Sequence, residues 1–335
     1  MAIRVMVVDD SAFMRKIISD TLNDIEGVQV VATARDGKTA LGIIEREHLD
    51  IVTLDVEMPE MDGLETLKRI KAISKVPVMM LSSNNKPETT IEALELGALD
   101  FVEKPVDIRT NIREIKRELE GKVKSIVMEN EEPVQPTGHM AKRQAVNVTR
   151  NFEALVIGAS TGGPKALVYL VSKLPKNLRI PVFIVQHMPR GFTTSLAERM
   201  DKESAVKVVE AQDGMPIVPG TVYLAPGDYH MVLTKGRVKL DTGDKIHGVR
   251  PAVDHLFNTA ADIYRDRLLG VVLTGMGKDG ADGMVRIKDY GGYNMVQNKE
   301  TCTVYGMPGS AVAKGVVDDV LSLEDLSGTI NRMVR

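Results

Sequence analysis

Ser160 lies in a sequence context that favours nucleophilic chemistry. It follows the apolar run EALVIGA and is flanked by Gly158 and Gly162, and Pro164 opens the helix expected next. A Gly-x-Ser-x-Gly pattern between a strand and a helix is typical of a nucleophile elbow. The residues leave open a second interpretation, in which Ser160 only caps the helix. A dinucleotide-binding loop is disfavoured, because the GxGxxG spacing is absent.

A candidate base and a candidate acid follow two further strand-like runs. His187 ends the run PVFIVQHMP, and the turn after LLGVVLTGM carries both Asp279 and Asp282. Parallel strands end at one edge of a sheet, so a hydroxyl, an imidazole and a carboxylate are expected together, as acyl transfer requires. Spacing alone does not choose between the two acids. The order Ser, His, Asp also differs from that of the α/β-hydrolases, so that fold is not predicted.

The single cysteine, Cys302, is a rival nucleophile. No histidine lies near it in the sequence. A small buried residue is therefore the better interpretation of Cys302.

Carboxylates also end strands in the first half of the chain. Asp9 and Asp10 follow the run VMVV, and Asp55 follows VTL. In an open parallel sheet of order 2-1-3-4-5, these strands flank the point where the order reverses, and ligands bind there. Ser82 and Lys104 end the next two strands and are expected at the same rim. Carboxylate oxygens suit Mg²⁺, so the pattern predicts a magnesium site.

Two α/β domains are needed to position these residues, and 335 residues suffice for two cores. Five alternations of β-branched runs with amphipathic stretches predict parallel βαβ units over 1–128. We expect these units to form a (βα)5 flavodoxin-like sheet of order 2-1-3-4-5. Residues 129–151 contain two prolines and mixed charge without periodicity, which predicts a linker. A second, larger doubly wound α/β domain is expected over 152–335, with an antiparallel hairpin within 220–241.

Composition excludes several classes of protein. The formal net charge is −3, which disfavours a nucleic-acid-binding output domain or an anionic membrane surface as partner. One cysteine excludes an internal disulfide and an all-cysteine metal site. No apolar run approaches the roughly 18 residues of a membrane span. We therefore expect a cytoplasmic protein that neither inserts into membranes nor binds nucleic acid.

The first half resembles the receiver domain of two-component response regulators, through the motifs VVDDS, LDVEMPEMDGLE, SS and EKP. The resemblance implies that Asp55 accepts a phosphoryl group from a histidine kinase and that phosphorylation requires Mg²⁺. It also implies the remaining roles. Mg²⁺ would be held by Asp9, Asp10, Asp55 and the main-chain carbonyl of Glu57, phosphate oxygens would be bound by Ser82 and Lys104, and the switch aromatic would be Phe101.

The whole chain resembles the CheB family of chemotaxis methylesterases, through GASTGGP, VQHMPRGFT, APGDYHM, RPAVDHLF, LTGMGKDGADG and VYGMPGSA. The family's triad falls on Ser160, His187 and Asp279, the last because it matches the family's GMGxDG motif. The main-chain N–H of Met276 matches the oxyanion donor, with Thr161 as a second contributor. No cofactor is implied for the hydrolysis.

The resemblance further implies a phosphorylation-activated serine hydrolase whose receiver inhibits it until Asp55 is phosphorylated. Its substrates would be glutamate methyl esters, and in some members glutamine amides, on the cytoplasmic helices of chemoreceptors. The phosphodonor would be the chemotaxis histidine kinase. Arg250 is a candidate substrate contact, unless it and Asp254 belong to a helix cap. Two alternatives stay open: the same hydrolase acting on receptors of a non-motility pathway, and a non-enzymatic, phosphorylation-controlled adaptor.

Overall fold

The computed structural model describes residues 2–83, 87–104, 108–128 and 151–334, and within 108–128 the side chains of 115–125 only. The chain divides into two compact units, Met1–Val127 and Met128–Arg335. The predicted linker over 129–151 lies outside the described residues, apart from Asn151. Among the helices of the described ranges, none combines the length and the apolar character that a membrane span needs.

The first unit is a five-stranded parallel sheet of order β2-β1-β3-β4-β5, which confirms the predicted (βα)5 order. The strands are β1 (Ile3–Val8), β2 (Val28–Ala34), β3 (Ile51–Asp55), β4 (Val78–Ser82) and β5 (Asp100–Glu103). The helices are α1 (Ala12–Asn23), α2 (Gly37–Ile44), α3 (Gly63–Ile73), α4 (Pro87–Glu95) and α5 (Ile108–Met128).

Central strands of this sheet are mostly apolar because helices cover both of their faces. Val5 to Val8 of β1 are all 0 % exposed. Asp62 starts α3 directly after the β3 loop, since its carboxylate accepts the Glu65 N–H at 2.8 Å. The β3–α3 connection is thereby fixed beside Asp55, the last residue of β3.

The second unit contains a seven-stranded parallel sheet of order β14-β13-β12-β6-β7-β9-β8 and a separate two-stranded sheet, β10-β11. Its strands are β6 (Ala154–Ala159), β7 (Val182–Gln186), β8 (Lys207–Glu210), β9 (Thr221–Leu224), β10 (His230–Thr234), β11 (Arg237–Asp241), β12 (Leu268–Val272), β13 (Tyr293–Gln297) and β14 (Asp319–Leu321). Its helices are α6 (Gly163–Ser172), α7 (Phe192–Glu203), α8 (Val253–Tyr264), α9 (Ala281–Asp289), α10 (Gly306–Ala313) and α11 (Leu323–Met333).

The predicted antiparallel hairpin is confirmed, but it is narrower than the segment 220–241. The antiparallel strand pair consists of β10 and β11, from His230 opposite Asp241 to Thr234 opposite Arg237. Strand β9 instead enters the main sheet, parallel to β7 and β8. Its Tyr223 is buried and stacks on Phe183 of β7 at 5.4 Å between ring centroids. Burial of this aromatic pair explains why β9 joins the core sheet.

Candidate functional site

Two neighbouring strands deliver Ser160 and His187 side by side. Ala159, the last residue of β6, pairs in register with Gln186, the last residue of β7. The two candidates follow directly, and His187 N donates to the Ala159 carbonyl at 3.1 Å. Parallel strands lie about 4.8 Å apart, so the two side chains start from adjacent points on one edge. The sequence prediction that both residues end neighbouring parallel strands is confirmed.

The turn that carries Ser160 is held by its main chain rather than by its hydroxyl. The Ser160 carbonyl accepts the Gly163 N–H at 2.7 Å and the Gln186 side-chain amide at 3.0 Å. Helix α6 has Gly162 as its N-cap, with no side-chain capping bond. The alternative that Ser160 caps this helix is therefore wrong. Its hydroxyl is half-buried and makes no hydrogen bond with any residue that the structure describes.

His187 and Asp279 are joined directly. The distance from His187 Nε2 to Asp279 Oδ2 is 2.8 Å, and the Asp279 residue is 2 % exposed. Because the carboxylate occupies Nε2, the nitrogen left for the nucleophile is Nδ1. No hydrogen bond joins His187 to Ser160 in the described structure, as is common before substrate binds.

Asp279 is also anchored by the main chain. Its carboxylate accepts the Val253 N–H at 2.7 Å, the Asp254 N–H at 2.9 Å and the Gly280 N–H at 3.0 Å. Burial alone would raise the pKa of Asp279, but the His187 partner and the Asp254 and Val253 N–H groups hold that pKa below its ordinary value. Asp279 is therefore an anion at neutral pH. Sequence reasoning missed the Val253 and Asp254 amides; the signal was a helix starting directly after Pro251.

Asp282, the other acid of this turn, faces a different partner. Its Oδ1 lies 2.8 Å from Lys314 Nζ, and its side chain is 58 % exposed. The Lys314 hydrogen bond is the main reason that the pKa of Asp282 is lowered. Of the two acids that spacing could not separate, the structure therefore brings Asp279 to His187 and leaves Asp282 at the surface.

The loop after β12 runs close beside Ser160. Ser160 N donates to the Thr274 carbonyl at 3.0 Å, and a Cβ built on Gly275 would lie 2.8 Å from the Ser160 Cβ. Only glycine permits this approach. The next residue, Met276, has a main-chain N–H without a hydrogen bond to any described residue. Thr161 is buried against the same loop, and its carbonyl accepts the Thr274 hydroxyl at 2.9 Å.

Neither Arg250 nor Cys302 takes part in the contact between His187 and Asp279. The Arg250 guanidinium donates to the carbonyls of Thr242 and Gly243 at 2.8 and 2.7 Å, which secures the loop after β11. Arg250 and Asp254 do not form a cap of α8, because the N-cap of that helix is Ala252. Cys302 is half-buried rather than buried, and its Sγ lies 3.8 Å from the Gln297 carbonyl.

Three carboxylates of the first unit meet at the edge of its sheet. One oxygen from each of Asp9, Asp10 and Asp55 lies within 4.8 Å of the others. Lys104 Nζ lies 2.7 Å from Asp9 Oδ2 and 2.6 Å from Asp55 Oδ2. Burial raises the pKa of Asp55 to about 6, against the lowering effect of Lys104. An all-oxygen donor set with excess negative charge fits Mg²⁺.

The other predicted receiver residues lie around this cluster. Ser82 is buried, with its Oγ 2.5 Å from Thr90 Oγ1 on α4, and Glu57 N donates to Asp55 Oδ1 at 3.1 Å. Phe101 is 4 % exposed, and Lys122 Nζ lies 5.4 Å from its ring centroid. The aromatic ring therefore points into the unit. A groove of about 510 Å³, lined by residues that include Asp10, Glu57, Met58 and Thr89, opens beside the carboxylates.

Comparison with known proteins matches both units. The CheB methylesterase family matches residues 155–330, and the response regulator receiver domain family matches residues 5–116. A protein-glutamate methylesterase/protein-glutamine glutaminase of Symbiobacterium thermophilum is 43 % identical over 99 % of this chain and 97 % of its own length. A protein of the same name from Thermotoga maritima is 43 % identical over 95 % of both chains.

A solved structure is similar to the second unit. It is the crystal structure of the Thermotoga maritima CheB methylesterase catalytic domain, 46 % identical, with a TM-score of 0.53. The match covers 55 % of this chain and 99 % of that chain. The CheB methylesterase family matches more than half of the chain, and the relatives are similar over nearly the full length. Both matches include Ser160, His187 and Asp279, the residues that the structure brings to one edge of the sheet. The chain belongs to the CheB methylesterase family and carries a response regulator receiver domain in its first half.

Proposed function

We propose that the second unit hydrolyses glutamate methyl esters on proteins, with Ser160 as nucleophile, His187 as general base and Asp279 as the acid that orients the imidazole. The observation that carries the proposal is the 2.8 Å contact between His187 Nε2 and the buried Asp279 carboxylate. This contact fixes the imidazole tautomer and stabilises the imidazolium once it forms. It also leaves Nδ1 to take the proton of the neighbouring serine.

The reaction proceeds in two halves. Ser160 Oγ attacks the ester carbonyl carbon while its proton passes to His187, and the Met276 N–H, with Thr161 as a second contributor, stabilises the oxyanion. Collapse breaks the bond to the methoxy group, which leaves as methanol with the proton from His187. Water, deprotonated by the same imidazole, then releases the glutamate and restores the serine. A glutamine amide follows the same course with ammonia as leaving group.

The substrate class comes from the relatives, which are named protein-glutamate methylesterase/protein-glutamine glutaminase. We assign the same two activities to this chain, acting on the cytoplasmic helices of chemoreceptors. Arg250 keeps a structural role in this proposal, because its guanidinium binds main-chain carbonyls of its own loop.

The test is methanol release from methylated receptor membranes. Ser160→Ala is expected to lower kcat by a factor of about 10⁶, as removal of a triad serine does elsewhere. Cys302→Ser is the matched control for the rival nucleophile and is expected to retain wild-type turnover. Undiminished release by Ser160→Ala, or loss of release in Cys302→Ser alone, contradicts the serine mechanism.

For the first unit we propose phosphorylation on Asp55 by a chemotaxis histidine kinase. Asp9, Asp10, Asp55 and the Glu57 carbonyl would hold Mg²⁺, which neutralises charge on the transferred phosphoryl group. Lys104 already spans Asp9 and Asp55, and Ser82 lies on the adjacent strand, so both can bind phosphate oxygens. The groove beside Asp10 and Glu57 supports access of a phosphodonor.

We further propose that the receiver domain, 1–128, restrains the methylesterase domain, 152–335, until Asp55 is phosphorylated. Support comes from the presence of both families in one chain. The buried Ser82 hydroxyl and the inward Phe101 ring are the groups expected to rearrange around a phosphorylated Asp55.

A further inference from the structure

Helices α8 and α9 cap each other's first turns. Asp279, which directly precedes the α9 N-cap Gly280, accepts the N–H groups of Val253 and Asp254 at the start of α8. In return the Asp254 carboxylate accepts the Gly283 N–H, in the first turn of α9, at 2.7 Å. The first N–H groups of a helix have no partner within it and attract negative charge. Each helix start is therefore satisfied by an acid from the other helix start.

This arrangement ties the aspartate beside His187 to Asp254. The Asp279 carboxylate has to meet two amides of α8 and the His187 ring at once, so its position depends on how the start of α9 sits against the start of α8. We propose that Asp254 is a positioning residue, which fixes the start of α9 and thereby holds the Asp279 carboxylate against His187. The inference rests on the proposed function.

The two acids differ in their partners and in the direction of their pKa shifts. Both residues are buried, at 2 % exposure for Asp279 and 5 % for Asp254. Burial, and then the negative charge of Asp279, raise the pKa of Asp254, whereas the pKa of Asp279 is lowered. Asp279 is the carboxylate that faces the imidazole, at 2.8 Å from His187 Nε2. Asp254 acts through the hydrogen bond that it accepts.

The surroundings of Asp254 allow an uncharged replacement to do the same. Its Oδ2 lies 3.0 Å from His247 Nε2, and the neighbouring Asp282 is already paired with Lys314. An asparagine at this position keeps an oxygen for the Gly283 N–H and can donate its amide hydrogen to His247. Alanine keeps neither bond. The pair of substitutions therefore separates loss of the hydrogen bond from loss of the charge.

The experiment is a double-mutant cycle on the full-length chain, measured as methanol release per folded molecule, with the folded fraction from far-UV circular dichroism. Asp254→Ala is expected to lower kcat about 10- to 100-fold with KM within 2-fold, as a small displacement of a catalytic group does. Asp254→Asn is expected to restore kcat to within about 3-fold of wild type. In the Asp279→Asn background, Asp254→Ala should cause no further loss, because its effect passes through Asp279.

Several results would overturn the proposal. They are turnover by Asp254→Ala within 2-fold of wild type, an equal loss in both backgrounds, or failure of Asp254→Asn to restore turnover. If the alanine variant does not fold, Asp254→Ser takes its place in the same double-mutant cycle, because the serine hydroxyl is too short to reach the Gly283 N–H. Asp282→Asn is the control from the same turn and is expected to match wild type.

Failure of the proposed function would be recognised separately. If wild type and Ser160→Ala both release no methanol, the hydrolase assignment is wrong. The position of Asp279 can still be followed by the low-field proton resonance of the His187 Nε2–H in NMR spectra. That resonance should persist in Asp254→Asn and shift or disappear in Asp254→Ala; an unchanged resonance in the alanine variant refutes the positioning role.

Discussion

At the residue scale, side chains of the same type differ in role because their surroundings differ. Asp279 and Asp282 lie three residues apart in one turn, but one is buried against His187 and the other pairs with Lys314 at the surface. Asp55 and Asp9 of the first unit share a single lysine partner in a buried cluster. The roles proposed for these residues follow from their partners rather than from their residue type.

Asp279→Asn should lower kcat by about 10⁴-fold, as the equivalent change does in a serine protease triad. An amide has one acceptor oxygen, so it cannot accept from the two α8 amides, the Gly280 N–H and the imidazole as the carboxylate does. Turnover of receptor methyl esters measures the effect, with Asp282→Asn as the control. Equal losses in Asp279→Asn and Asp282→Asn would contradict the assignment of Asp279 as the acid that orients His187.

Asp55→Asn should stabilise the protein at neutral pH when Mg²⁺ is absent. The pKa of Asp55 is raised to about 6 from its ordinary value of 3.8, mainly by burial, so the folded state holds the neutral acid better than the ionised one. The stabilising effect of this raised pKa is complete at pH values below the pKa of Asp55 in the unfolded chain, and it is lost as the pH rises through about 6. The wild-type chain therefore bears the cost of a buried anion above that pH.

The expected gain in free energy of unfolding for Asp55→Asn is at most about 3 kcal/mol at pH 8, at 1.36 kcal/mol for each pKa unit. The gain should shrink as the pH falls from 6 towards 4. Urea unfolding followed by far-UV circular dichroism at a series of pH values measures it. A gain that is the same at every pH would contradict a buried, ionisable Asp55 as its cause.

At the element scale, close packing of α8 on α9 sets the geometry around Asp279. Gly283 of α9 lies against α8, where an added Cβ would come within 2.5 Å of the Phe257 Cβ. Two backbones that approach this closely leave no room for a side chain. The first turns of the two helices can exchange hydrogen bonds only at this separation.

Gly283→Ala should destabilise the chain by about 1–3 kcal/mol and lower turnover, because α9 must move away from α8. Gly328→Ala is the matched control. It lies in α11, where the nearest atom to an added Cβ is Arg332 Nη1 at 3.7 Å, so alanine should stabilise by about 0.5–1 kcal/mol. Thermal unfolding and methanol release decide the matter, and a stable, fully active Gly283→Ala would refute the packing argument.

Sequence periodicity predicted the elements that bury a regular face. All five receiver strands followed from short β-branched runs, four of which end in chemistry-bearing residues, and β6, β7 and β12 followed from apolar runs of the same kind. Other elements lacked that signal. Helix α10 contains Gly306, Pro308 and Gly309, and β14 has only three residues, so neither shows a sustained period.

The candidate site was predictable to the extent that its residues end strands. Ser160 and His187 followed from strand ends together with the Gly-x-Ser-x-Gly pattern around Ser160, whereas the choice of Asp279 over Asp282 required the family motif. The exchange of hydrogen bonds between α8 and α9 was not predictable. It joins Asp254 to Gly283, and Asp279 to Val253, across segments whose contact depends on how the helices pack.

At the scale of the whole molecule, a phosphate-accepting unit and a hydrolytic unit share one chain. A receiver can control turnover only by changing the relative population of active and inhibited states. With a small-molecule phosphodonor and Mg²⁺, methanol release by the full-length chain should rise about 5- to 150-fold, the usual range of such coupling. Asp55→Asn should stay at the basal rate under the same conditions. An equal rise in both proteins, or none in wild type, would contradict control through Asp55.

The central claim is that Ser160 is the nucleophile, and covalent labelling tests it most directly. After reaction of the full-length protein with a fluorophosphonate, mass spectrometry should locate the adduct on the peptide that contains Ser160. The adduct should be absent in Ser160→Ala and should form more slowly in Asp279→Asn. An adduct on Cys302, or no adduct on a protein that still releases methanol from its substrate, would contradict the account.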